Sequence, residues 1–162
     1  MTELIVITFE NEPDAEAAYK KVLNLQNDLV VELAGLALVK VEPSGKKHVE
    51  TPHSGDLGRD VGSGALFGTL IGLLFFIPFL GLAIGGALGA LVAHLDKSPV
   101  NAEFREKIQT AVSAGKSAVV VYASKIDEDR FAEEMRSFGG DTVRTSISEE
   151  EEDRLTHDAA AA

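Results

Sequence analysis

From Val61 to Ala93 the chain runs for 33 residues without one charged side chain, and eight of those residues are glycine. Gly64, Gly68 and Gly72 stand four apart, as do Gly81, Gly85 and Gly89, with Ala93 continuing the second row and Pro78 near the midpoint. Residues four apart lie on nearly one face of a helix, so each GxxxGxxxG row makes a groove that lets another helix approach to backbone contact. Glycine in a solvent-exposed helix costs about 1 kcal/mol relative to alanine, so close packing must offset the composition. As one helix the block would be about 50 Å long, against a hydrocarbon core of about 30 Å. Pro78 removes a backbone donor and favours a bend, and the block therefore reads as a helical hairpin. Each arm has about sixteen residues, or about 24 Å, which is short for a membrane span.

The flanks read as a repeated βαβ unit. Leu4 to Phe9 is a short apolar, β-branched run; Pro13 and neighbouring acids open a helix with Ala15, Ala18, Val22 and Leu25 at helical spacing; Val31 to Glu42 is a second strand. After the block, Ser98 and Pro99 suit a helix start, and Ser117 to Ser124 is the clearest strand. Asp127 caps a helix ended by Gly139-Gly140, and Thr142 to Ile147 alternates as a half-exposed strand. With the block set aside, βαβ followed by βαβ predicts an α+β, ferredoxin-like fold, a four-stranded antiparallel sheet with two helices on one face. The expected central pair is Leu4–Phe9 with Ala118–Tyr122. The chain divides into residues 1–53 (first half of the sheet domain and connector), 54–97 (glycine-zipper, transmembrane-type hairpin), 98–148 (second half) and 149–162 (an acidic and alanine tail, disordered or a frayed helix).

Two strands on each side of the hairpin can pair only if both halves lie on one side of a bilayer, which requires an even number of crossings. No secretory signal opens the sequence, so the cytoplasm is the default side for the sheet. Arg59 and Lys97 flank the block, but Asp60 and Asp96 beside them cancel any orientation signal.

Chemistry is poorly represented. The chain has no cysteine, which excludes disulfides and thiol catalysis, and its formal charge of −11 disfavours nucleic acid. His48 and His53 sit near Glu50 and Asp56 in a polar connector, but the spacing matches no ligand motif. Gly62-Ser63-Gly64 lacks the lysine of a phosphate loop. No catalytic, cofactor-binding or metal-ligating residues are assigned, and no cofactor is expected.

The opening Leu4–Phe9 strand, the Gly64-to-Gly89 double row around Pro78, and Ala118–Val121 together resemble the bacterial and archaeal family defined by domain of unknown function 1269. The resemblance implies membrane association and brings no catalytic residues with it. The reading is a non-enzymatic protein of the inner or plasma membrane whose partners are the lipid bilayer and other copies of itself. Gly64, Gly68, Gly72, Gly81, Gly85 and Gly89 are its helix-packing and oligomerisation residues. The alternative is a soluble homo-oligomer whose hairpins pack against each other, with a ligand-binding role. A haem-type binder or enzyme on paired sheet domains finds no ligand group to support it.

Overall fold

A computed structural model describes residues 2–52, 64–75 and 101–154. Strand β1 (Thr2–Phe9) leads into helix α1 (Glu12–Asn27) and then β2 (Val31–Val41) and β3 (Lys47–Glu50). Helix α2 (Gly64–Phe75) and helix α3 (Ala102–Ala111) follow, then β4 (Ser117–Ile126), α4 (Glu128–Arg136) and β5 (Asp141–Ile147). A helical turn over residues 149–154 follows the last strand, where the acidic tail was expected to be disordered or frayed. It opens on a reciprocal cap. Glu151 N–H donates to Ser148 Oγ at 3.2 Å while Ser148 N–H donates to the Glu151 carboxylate at 3.1 Å.

The strands form one antiparallel sheet in the order β3-β2-β4-β1-β5. The expected central pairing is present, with Leu4 opposite Tyr122 and Val6 opposite Val120, all fully buried or nearly so. The sheet has five strands rather than four. The connector after β2 turns at Glu42–Lys46, with Gly45 at φ 91°, and lays residues 47–50 back along β2. A short strand at His48-Val49-Glu50 within the polar connector is what the sequence suggests, and the structure has one over Lys47–Glu50. Its place as a fifth strand beside β2 was not expected, because Lys47, His48 and Glu50 show no apolar alternation.

Both sheet faces are covered. Against one face, Ala15, Ala18, Val22 and Leu25 of α1 and Phe131 and Met135 of α4 pack on Ile5, Ile7, Leu36, Leu38, Val119 and Val121. That is the side the βαβ repeat predicts. Against the other, Phe67, Leu70, Ile71, Leu74 and Phe75 of α2 and Phe104 and Ile108 of α3 pack on Leu4, Val6, Val39, Val120 and Tyr122. The first half of the apolar block is thus a layer of the sheet domain. Helix α2 has 12 residues, about 18 Å of rise, and among the described residues no helix is long and apolar enough to cross a membrane. The second half of the expected hairpin, including Gly81, Gly85 and Gly89, lies outside the described residues.

Local capping explains the helix starts. Asn11 accepts from Asp14 N–H at 2.9 Å, and Asp127 accepts from Arg130 N–H at 3.2 Å, the latter as its position before an acidic first turn predicts. Helix α3 corrects the expected start at Ser98-Pro99, which lies outside the described residues. Asn101 is extended and its side chain accepts from Phe104 N–H at 3.0 Å, so the helix begins at Ala102.

Candidate functional site

The feature with most consequence for function is the seat of α2 on the sheet, because it shows which part of the glycine-rich block belongs to the sheet domain. Strand β2 is irregular at Leu33–Gly35, where its register against β4 shifts. At Gly35 an added Cβ would stand 2.5 Å from the Phe67 ring. The missing side chain is what allows the helix to lie this close. The same ring stacks on Tyr122, with centroids 6.2 Å apart and planes at 22°. At the other end of α2, the unpaired carbonyls find donors from the domain: Lys47 Nζ donates to Phe75 O, and Gln109 Nε2 donates to Leu74 O at 3.2 Å. An ammonium on the last carbonyl also complements the negative end of the helix dipole. Helix α2 is therefore held near its N-terminus by shape and at its C-terminus by a charge-assisted bond.

Of the six glycines assigned to helix packing, Gly64, Gly68 and Gly72 lie on α2. At 100° per residue their row runs along the flank of the buried Phe67–Leu70–Leu74 stripe rather than at its centre. Gly72 is buried. Gly68 is partly exposed, and a Cβ there would meet nothing within 4 Å. A glycine that packing under α2 does demand is Gly35, which was not singled out from the sequence, although an isolated glycine within a strand is a signal of close backbone approach.

Polar groups gather at three places. Lys40, on β2, is bonded to Glu12 at 2.9 Å, Glu16 at 2.8 Å and Glu50 at 3.1 Å. Hydrogen bonds to Glu16 and Glu12 raise its pKa, and Lys40 in turn holds the Glu16 carboxyl below its ordinary value. This hub borders an open cleft of about 540 Å³ beside the β2–β3 turn, where His48 Nε2 meets Glu42 at 2.9 Å. His48 and Glu50, considered together in the sequence as metal ligands, thus face different partners, and His53 and Asp56 lie outside the described residues. Among the described residues no group of three or more histidine and carboxylate side chains is placed to hold a metal ion.

At the opposite edge Arg144 bridges Glu3 at 3.0 Å and Glu128 at 2.7 Å, beside an apolar-floored cleft of about 310 Å³ between α4, β1 and β5. Burial opposes ionisation of Glu3, but bonds from Ser146 and Arg144 prevail and lower its pKa. The third place is buried. Neither the Tyr122 hydroxyl nor Glu152 Oε1 has a partner with hydrogen-bond geometry. Burial, together with the neighbouring Glu152 carboxylate, pushes the phenol's pKa upward.

These observations define an α+β protein, a five-stranded antiparallel sheet between two pairs of helices, in which part of an apolar glycine-rich block serves as core. The chain belongs to the family described as protein of unknown function DUF1269, whose model matches residues 62–160. No curated protein and no solved structure matches it.

Proposed function

We propose that this is a non-enzymatic, self-assembling protein of the inner or plasma membrane, with a ferredoxin-like sheet domain on the cytoplasmic side and a glycine-rich apolar segment that enters the bilayer. The strand order supports the ferredoxin-like part: with edge strand β3 set aside, β2-β4-β1-β5 is the order that two interlocked βαβ units produce. The observation that carries the membrane part is the charge-free sequence continuing from Phe76 to Ala93 beyond the anchored end of α2. It has 18 residues, the minimum for a span by length. Helices α2 and α3 pack on the same face of one sheet, so a segment joining them leaves and returns on one side of the bilayer. Such a segment dips into the membrane, with the rows Gly64–Gly68–Gly72 and Gly81–Gly85–Gly89 as the surfaces where helices meet.

One observation favours the soluble homo-oligomer as the second reading: α2 spends its large apolar side chains on its own sheet. Alkaline carbonate extraction of membranes from cells expressing the full chain separates the two. Retention in the pellet is expected; full release to the supernatant, without detergent, gives the protein to the soluble reading.

A further inference from the structure

The two edges of the sheet are unequally guarded. Strand β3 has four residues, carries Lys47 and His48, and bends Lys47 away to the end of α2, features that discourage pairing with another strand. Strand β5 has seven residues, Asp-Thr-Val-Arg-Thr-Ser-Ile, in unbroken register with β1 from Asp141 opposite Thr8 to Ile147 opposite Thr2. It contains no proline, glycine, lysine or bulge, and four of the seven side chains are β-branched. Its single basic side chain, Arg144, is drawn back by Glu3 on β1 and Glu128 on α4, so its charge is neutralised where it would otherwise repel a visitor. Among the described residues no strand pairs with its outer side. A row of backbone donors and acceptors on a long, flat edge is matched by another extended strand.

We propose that β5 is the interface through which two copies of this chain join, each adding its β5 antiparallel to the other's to make one continuous ten-stranded sheet. This rests on the self-assembly proposed above and names the surface. A two-fold axis perpendicular to the sheet passes through one residue of β5, and side-chain fit and strand length select among the centres. Centring on Arg144 sets the two Arg144 side chains directly opposite, each already held by Glu3 and Glu128, and centring on Thr145 runs Asp141 against position 149, where the strand has given way to a helical turn. Centring on Val143 opposes Asp141 with Thr145 and Thr142 with Arg144, with no like charges opposite each other. It also brings the two Val143 side chains together on the face where Val143 already packs against the core.

The chain has no native cysteine, so single-cysteine variants report without background. The experiment oxidises the purified full chain in mild detergent, with cysteine placed in turn at each position from Asp141 to Ser146, and at His48 on the guarded edge. Directly opposed residues have Cα atoms about 4.5–5.5 Å apart, within disulfide reach. The expected result is a disulfide dimer that peaks at Val143→Cys, several-fold above His48→Cys, with mass photometry of the unmodified chain showing even-numbered assemblies. A peak at Arg144→Cys or Thr145→Cys overturns the register and keeps the edge. A flat profile from a chain that is still oligomeric overturns the β5 interface and leaves self-assembly standing, whereas a monomeric chain overturns both.

Discussion

At the scale of single residues, the fold depends on the missing side chain at Gly35 and tolerates an unpartnered hydroxyl at Tyr122. Gly35 has no side chain where the Phe67 ring lies, and a Cβ there would meet Cγ, Cδ1 and Cδ2 at 2.5–2.8 Å, the near edge of the ring rather than the far end of a flexible side chain. Gly35→Ala should therefore cost about 1–3 kcal/mol by overpacking. Phe67→Leu in that background should recover part of the loss, and urea unfolding of the three variants checks this. The Tyr122 hydroxyl and Glu152 Oε1 are both buried without a partner in hydrogen-bond geometry. Tyr122→Phe removes one of these two groups and leaves Glu152 as it was, so it should change stability by no more than about 1 kcal/mol. The same substitution has a pH signature. The Tyr122 phenol, through burial and Glu152, and the Lys40 ammonium, through Glu16 and Glu12, both have pKa values raised in the fold. Each keeps its proton in the folded state after the unfolded chain has lost it. Their stabilisation is complete below the unfolded values near pH 10 and falls as pH rises past them. Urea midpoints should decline from about pH 10 upward, and less steeply in Tyr122→Phe. On the acid side, Glu3 and Glu16 have lowered values, so their contribution is lost as pH falls below about 4.

At the scale of elements, α2 separates two uses of an apolar helix. Leu70 is fully buried against the sheet, whereas Gly68 borders open space. Leu70→Ala should therefore cost about 2–5 kcal/mol in protomer stability, read by denaturant unfolding. Gly68→Leu should leave that stability near the original value and reduce the size of the assembly, read by mass photometry in mild detergent. A Gly68→Leu protein of unchanged size would remove Gly68 from any assembly surface. These helices and strands were unequally legible. Strands β1 and β4 announce themselves as continuous apolar, β-branched runs because both their faces are buried, whereas β5 and the helices α1 and α4 show the apolar period that burial on one face leaves. The cap at Asp127 is equally local. For the polar edge β3, a short extended stretch at His48-Val49-Glu50 is legible, but its pairing with β2 is a tertiary matter with no local mark. The seat of α2 was hidden for a different reason: Phe67, Leu70, Ile71 and Leu74 satisfy lipid and a sheet face equally well, and only Gly35 in the strand beneath distinguishes them.

At the scale of the whole molecule, residues 64–75 of the charge-free block serve as core, and the membrane role proposed for the rest has a measurable boundary. Burying Phe67, Leu70, Ile71, Leu74 and Phe75 contributes on the order of 10 kcal/mol, at about 1.5–3 kcal/mol per large apolar side chain before the helix's ordering cost. That is comparable with the entire net stability of a domain, about 5–15 kcal/mol. Excising the whole segment Leu57–Leu95 would uncover Leu4, Val6, Val39, Val120 and Tyr122 on one sheet face, so the product should lose its near-ultraviolet circular dichroism and aggregate. Excising only Phe79–Leu95, with a flexible Gly/Ser linker of about twelve residues spanning roughly 20 Å, removes most of the apolar sequence beyond α2 and leaves the second layer in place. That protein should unfold cooperatively in urea and, on the membrane reading, move from the pellet to the supernatant after carbonate washing. If both deletions keep the same cooperative transition, α2 is no part of the core. If the shorter deletion stays folded and stays in the pellet, the membrane contact lies outside Phe79–Leu95.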